Sequence, residues 1–190
     1  MSRVNPGILA LFATAIIGAA LVVLYVIGAN PVHEPVPQAL AALTPEPAPK
    51  PIADMAVVDK DGGKVRLAKF RGRLVILNVW APWCAPCVRE LPALGRLEAA
   101  LGAGRVMVVT VNASRDTAAQ TASFLTAHQA GDLPAYRDPG LALLTGFGSQ
   151  GLPFSVLIDV KGREIARAKG PIQWDDPAAV AYFRSLGART

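Results

Sequence analysis

With 190 residues the chain has room for one compact domain plus extensions. Hydrophobic residues make up 52 %, more than a soluble domain usually carries, and much of the excess sits in the first thirty positions. The net charge of +5 is densest at Lys64, Arg66, Lys69, Arg71 and Arg73, with Phe70 as the single aromatic among them; lacking interleaved rings or a known motif, the cluster excludes a nucleic-acid footprint and reads as a solvated hairpin and loop, with a docking surface for acidic partners as the lesser alternative.

Ile8 to Gly28 runs for 21 residues without a charge. As a helix it would span roughly 30 Å, the thickness of a hydrocarbon core. Arg3 precedes it and no Lys or Arg follows until Lys50. The positive-inside rule therefore predicts a cytoplasmic N-terminus and export of everything after residue 30. A cleaved signal peptide is the competing reading, but its apolar region should be shorter, about 7–15 residues, and Ile27-Gly28-Ala29 is a poor cleavage site. Residues 1–30 are thus read as a transmembrane anchor, with the bilayer at residues 8–28. Residues 31–51 hold seven prolines, which disfavour helix and sheet alike, and are expected to form an extended linker without a binding role. The domain is predicted over 52–190.

Within it, Met55–Val58 and Lys64–Leu67 flank an Asp-Gly turn and predict a hairpin. Leu74 to Trp80 is an apolar, partly β-branched run that reads as a buried strand. Val88, Leu91, Leu94, Leu97 and Leu101 then recur at helical spacing, and Gly102 ends that helix. A second buried strand is expected over 105–111, a helix over 116–128, an extended piece over 133–136 and a short helix from Asp138 through Phe147. Phe154–Asp159 and Glu164–Ala168 predict a second hairpin, and Pro177 opens a closing helix through Leu186. The pattern is α/β, a mixed central sheet with helices on both faces.

Between the buried strand and its helix lies Trp80-Ala81-Pro82-Trp83-Cys84-Ala85-Pro86-Cys87, which holds the chain's only two cysteines. A thiolate is what attacks a disulfide, so one cysteine must be partly ionised and reachable. Cys84, at the helix N-terminus, is favoured by backbone N–H groups and the helix dipole and is the expected nucleophile. Cys87, one turn inside, is the expected resolving residue. Trp83 would lend an apolar lip, and Pro86, with no N–H to lose in a first turn, would help set the reduction potential.

Together with Phe70-Arg71-Gly72-Arg73, Glu90-Leu91-Pro92 and Gly151-Leu152-Pro153-Phe154, this stretch resembles the thioredoxin superfamily, and more narrowly its membrane-anchored, TlpA-like thiol–disulfide oxidoreductases, the relatives of ResA and CcmG. The resemblance covers about 52–187 and implies a thioredoxin-like fold with an N-terminal hairpin and a central insertion, the 66 positions from Cys87 to Pro153 being more than a minimal thioredoxin needs. It implies a cis peptide at Pro153 opposite the dithiol, with Leu152 offering backbone groups to a substrate strand and Trp80 packed beneath the site. Asn78 stands where minimal thioredoxins bury an aspartate, and Glu90, on the helical face of Cys87, is the implied replacement for proton handling. The alternative for Glu90 is an exposed acid that only favours the dipole. Trp174 would either approach the site or simply pack.

The function implied is that of a periplasmic, inner-membrane, single-pass protein reducing disulfides in exported clients, with no cofactor beyond the Cys84–Cys87 pair. Clients in copper-centre or cytochrome oxidase assembly are expected, as is re-reduction by a membrane donor of the CcdA or DsbD kind. Reduction of apocytochrome c is the runner-up, and Phe154 counts against it, since a CcmG-like chain would carry an acid there. A metal site would need more ligands than two cysteines with His33 and His128 supply. A non-enzymatic holdase would survive loss of both cysteines, and a peroxidase would need a threonine and proline ahead of a single reactive cysteine.

Overall fold

The computed structural model describes residues 35–189. Among them eight strands form one mixed sheet: β1 (Leu43–Pro51), β2 (Ala56–Val58), β3 (Lys64–Arg66), β4 (Leu74–Trp80), β5 (Val106–Asn112), β6 (Tyr136–Arg137), β7 (Phe154–Ile158) and β8 (Arg163–Lys169). The α-helices are α1 (Ala85–Leu101), α2 (Ala118–Ala127), α3 (Ala142–Gly146) and α4 (Pro177–Ala188). The strand order is β1-β8-β7-β4-β5-β6-β2-β3. β4 runs parallel to β5 and antiparallel to β7, so the strand that leads into the dithiol lies at the centre.

All seven residues of β4 are buried because both faces of the sheet are covered. Leu74, Ile76 and Trp80 point into a core built with Leu91, Leu94 and Leu97 of α1, Leu125 of α2 and Phe183 of α4. Val75, Leu77 and Val79 point the other way, toward Leu143 of α3, Phe147 and Phe70. The β2–β3 hairpin turns at Gly62, whose φ of 85° suits glycine, while the Asp59 carboxylate accepts from the N–H groups of Asp61 and Gly63.

Local capping moves several predicted boundaries. α2 begins at Ala118, since Thr117 takes the N-cap and closes a reciprocal capping box with Gln120. α3 begins at Ala142, four residues beyond Asp138, whose buried carboxylate accepts from the N–H groups of Ala142 and Leu143. The extended piece at 133–136 becomes the two-residue β6, paired with β5 and β2. α1 runs on through Pro92.

The largest departure is the proline-rich stretch. Residues 31–51 were expected to be neither helix nor sheet, yet Gln38–Leu40 forms a 3-10 turn and β1 pairs antiparallel with β8. The reason is position: β1 is the outer strand, so its prolines need no second ladder partner, and the pairing jumps from Pro45 to Lys50 across the segment that keeps no register. Leu40 and Leu43 are buried in the core, and Glu46 forms ion pairs with Lys50 and Arg167. The compact unit accordingly starts at Val36, ahead of the predicted 52. Leu40→Ala is therefore expected to lower unfolding free energy by about 2–5 kcal/mol in a urea titration, whereas a free linker would tolerate it. The predicted anchor at 8–28 lies outside the described residues, among which no helix is long and apolar enough to cross a membrane.

Candidate active site

Cys84 is the N-cap of α1, with its backbone still extended at φ −88° and ψ 92°. Its Sγ accepts a hydrogen bond from the Cys87 N–H at 3.3 Å, and its carbonyl accepts from the N–H of Val88. Three residues of separation place the second sulfur within bonding reach, and the two cysteines are joined in a disulfide. Cys84 keeps 6 % of its surface exposed and Cys87 none, so an incoming sulfur meets Cys84 first. Pro86 occupies the first turn, where a missing N–H leaves no acceptor unserved. Trp83 is 72 % exposed, an unsupported indole beside the pair. Trp80 is fully buried and stacks on Phe124 at 5.4 Å, which in turn stacks on His128. His128 is held half-buried by that ring and by the Phe124 carbonyl.

Beneath the dithiol sits a buried polar cluster. Asn78 donates from Nδ2 to Glu90 Oε1 at 2.8 Å and to Ser155 Oγ at 3.0 Å. The Ile172 backbone N–H donates to Glu90 Oε2 at 3.2 Å. Glu90 is 4 % exposed, which removes the reading of it as a solvated dipole acid. Burial outweighs these donors and pushes its carboxyl from 4.5 up to about 7. Trp174 also favours the ionised form, although its indole nitrogen reaches no acceptor at full hydrogen-bond geometry. It is packed against Phe183, in the core. A cleft of about 490 Å³ beside Pro86 reaches Glu90, with the Arg96–Asp175 ion pair on its wall.

The Leu152–Pro153 peptide is cis. Pro153 precedes β7, and since Phe154 pairs with Val79, it lies level with Trp80 where β4 leaves the sheet toward Cys84. Leu152 packs on the core that includes both cysteines, while the β7 ladder begins only at Phe154. Ser155 and the Ile172 backbone were not anticipated. Ser155 had a signal: it is the one polar side chain inside an apolar strand, and it faces Asn78 in the β4–β7 register. Ile172 had none, because a backbone group in a loop leaves no mark on a sequence.

Known proteins resemble this chain in sequence and fold. Residues 48–180 match the AhpC/TSA family. Thiol-disulfide oxidoreductase ResA of Bacillus thuringiensis subsp. konkukian is 31 % identical over 121 residues, spanning 64 % of this chain and 69 % of that one. A structure described as a thiol:disulfide interchange protein DsbE, from Chlorobium tepidum, superposes with a TM-score of 0.60 at 27 % identity, covering 75 % of this chain and 97 % of the other. The pneumococcal exposed lipoprotein thioredoxin Etrx1 from Streptococcus pneumoniae gives 0.58 at 26 % identity, covering 70 % and 100 %. The matched stretch contains the dithiol, Glu90 and cis-Pro153 of this chain. The chain belongs to the AhpC/TSA family, and within it to the ResA-like and CcmG-like thiol–disulfide oxidoreductases.

Proposed function

We propose that this oxidoreductase is a membrane-tethered, periplasmic reductant of disulfides in exported proteins. The observation that carries the reading is the pairing of an N-cap cysteine that keeps slight exposure with a fully buried partner one turn on. In the reducing direction, the Cys84 thiolate attacks one sulfur of a client disulfide and expels the other as a thiolate. Cys87 then gives up its proton and attacks Sγ of Cys84, which releases the second client thiolate and closes the disulfide. Two electrons pass to the client. Glu90, on the inner side of the same helix turn, is the group that takes the Cys87 proton. Trp83 and the backbone of Leu152, beside cis-Pro153, hold the client segment extended across the pair.

The uncharged run at 8–28 supports the tether, and an exported domain would need electrons from a membrane donor of the CcdA or DsbD kind. Since residues 43–51 are taken into the sheet as β1, they are not available as a spacer. Copper-centre or cytochrome oxidase assembly proteins are the proposed clients. Apocytochrome c ranks second, since the residue after Pro153 is Phe154, fully buried, rather than an acid. Cys87→Ala in the native host should freeze mixed disulfides on Cys84 that dissolve on reduction and name the clients. Recovery of none, from protein that still reduces a small disulfide when Cys87 is intact, would sink the client reading.

A further inference from the structure

A groove of about 510 Å³ flanks the Leu152–Pro153 bond, between the 148–151 loop and the end of β8. Lys169 is the only charged residue on its wall. The backbone there is fixed, because Lys169 is in register with Phe154 and the Gly170 N–H donates to the Pro153 carbonyl at 3.0 Å. The side chain is exposed and has no ion pair or hydrogen bond among the described residues. Arg167, two residues back and so on the same face of β8, is already committed to Glu164, Glu46 and the Phe147 carbonyl. One uncompensated cation therefore stands beside the cis-proline loop that enters β7. The cleft beside Pro86 carries charges of both signs, with Arg89 beside the Arg96–Asp175 pair, Glu90 and Asp176.

We propose that Lys169 selects clients by a carboxylate: the groove takes an acidic side chain lying within a few residues of the target cysteine in an extended segment. At about 3.3 Å per residue, three residues of an extended segment carry a side chain about 10 Å along from its cysteine. The inference rests on Leu152 and Pro153 being the client-facing edge, as proposed above.

The test uses the full-length reduced chain and a series of peptides with one internal disulfide, carrying Asp or Lys in turn at each of three positions on either side of one cysteine. At low salt the Asp peptide is expected to react with a kcat/KM about threefold to tenfold above its Lys counterpart at one or two positions, the range for attraction exchanged for repulsion at an exposed site. That ratio should shrink in high salt and invert in Lys169→Glu. A ratio that is the same in wild type and Lys169→Glu overturns carboxylate selection. Reduction of dithiodiethanol by the wild type, which fills no groove, separates the two levels: if it fails as well, the exchange reading falls, and if it proceeds, only the Lys169 proposal does.

Discussion

Cys84→Ser is expected to reduce disulfide exchange to the uncatalysed background while leaving the fold in place. Of the two cysteines only Cys84 keeps any exposure to an incoming disulfide, and a serine hydroxyl does not ionise to a comparable nucleophile. Serine is, however, among the preferred N-cap residues, and its oxygen can take over the hydrogen bond from the Cys87 N–H. Under reducing conditions the variant should therefore unfold within about 1 kcal/mol of the wild type, the usual range for a mild substitution. Under oxidising conditions the wild type gains the small ring, about 2 kcal/mol in a chain-entropy account. Insulin or peptide-disulfide reduction together with chemical denaturation separates the two effects. Residual exchange well above background would move the nucleophile to Cys87.

Glu90→Gln carries the second large effect, and it is read against pH. In the folded, oxidised protein the carboxyl is raised from 4.5 to about 7, first by burial, with Asn78 and the Ile172 N–H opposing. Below pH 4.5 both folded and unfolded chains hold the proton and no penalty arises. Between 4.5 and about 7 the folded chain binds more protons than the unfolded one, so stability falls as pH rises. Above about 7 the loss is complete, and at 1.36 kcal/mol for each pH unit of that window it amounts to about 3 kcal/mol. Glutamine does not titrate, so the stability difference between variant and wild type should move by about 3 kcal/mol in the variant's favour from pH 4 to 8. Using a difference cancels the other carboxylates. The same variant, reduced, should form thiolate at lower pH, because a nearby carboxylate raises the thiol pKa. A thiolate absorbance profile identical to wild type would leave Glu90 as a structural residue.

Much of the site is local, and so was legible. Trp80 to Cys87 encodes strand end, turn, N-cap and first helical turn in consecutive residues, and each preference concerns neighbours only. The hairpin at Gly62 and the burial of β4 follow from similarly short-range signals. Pro153 needed the family resemblance, since an X–Pro bond carries little mark of its isomer. Three features escaped, the first two because partners distant in the chain decide them. The prolines of β1 disfavour a strand locally, and only an outermost position in the sheet, anchored by Leu40 and Leu43, lets them form one. Glu90 reads as either a solvated or a buried acid until α1 is laid on the sheet over Asn78. The helix starts at Ala118 and Ala142 were displaced by side-chain caps that outcompete the apolar periodicity.

What the sequence by itself determined is the reaction class: two cysteines at helical-turn spacing, the first at a helix N-terminus, with too few further ligands for a metal and with the family resemblance beside them, read as a redox pair. What only the tertiary structure decided is the setting of that pair. The β4–β7 register puts Ser155 opposite Asn78, α1 brings Glu90 onto that amide, and the end of β8 sets Lys169 beside Pro153. Each of these joins residues far apart in the chain, where burial and charge depend on what the fold packs around a group and not on its sequence neighbours.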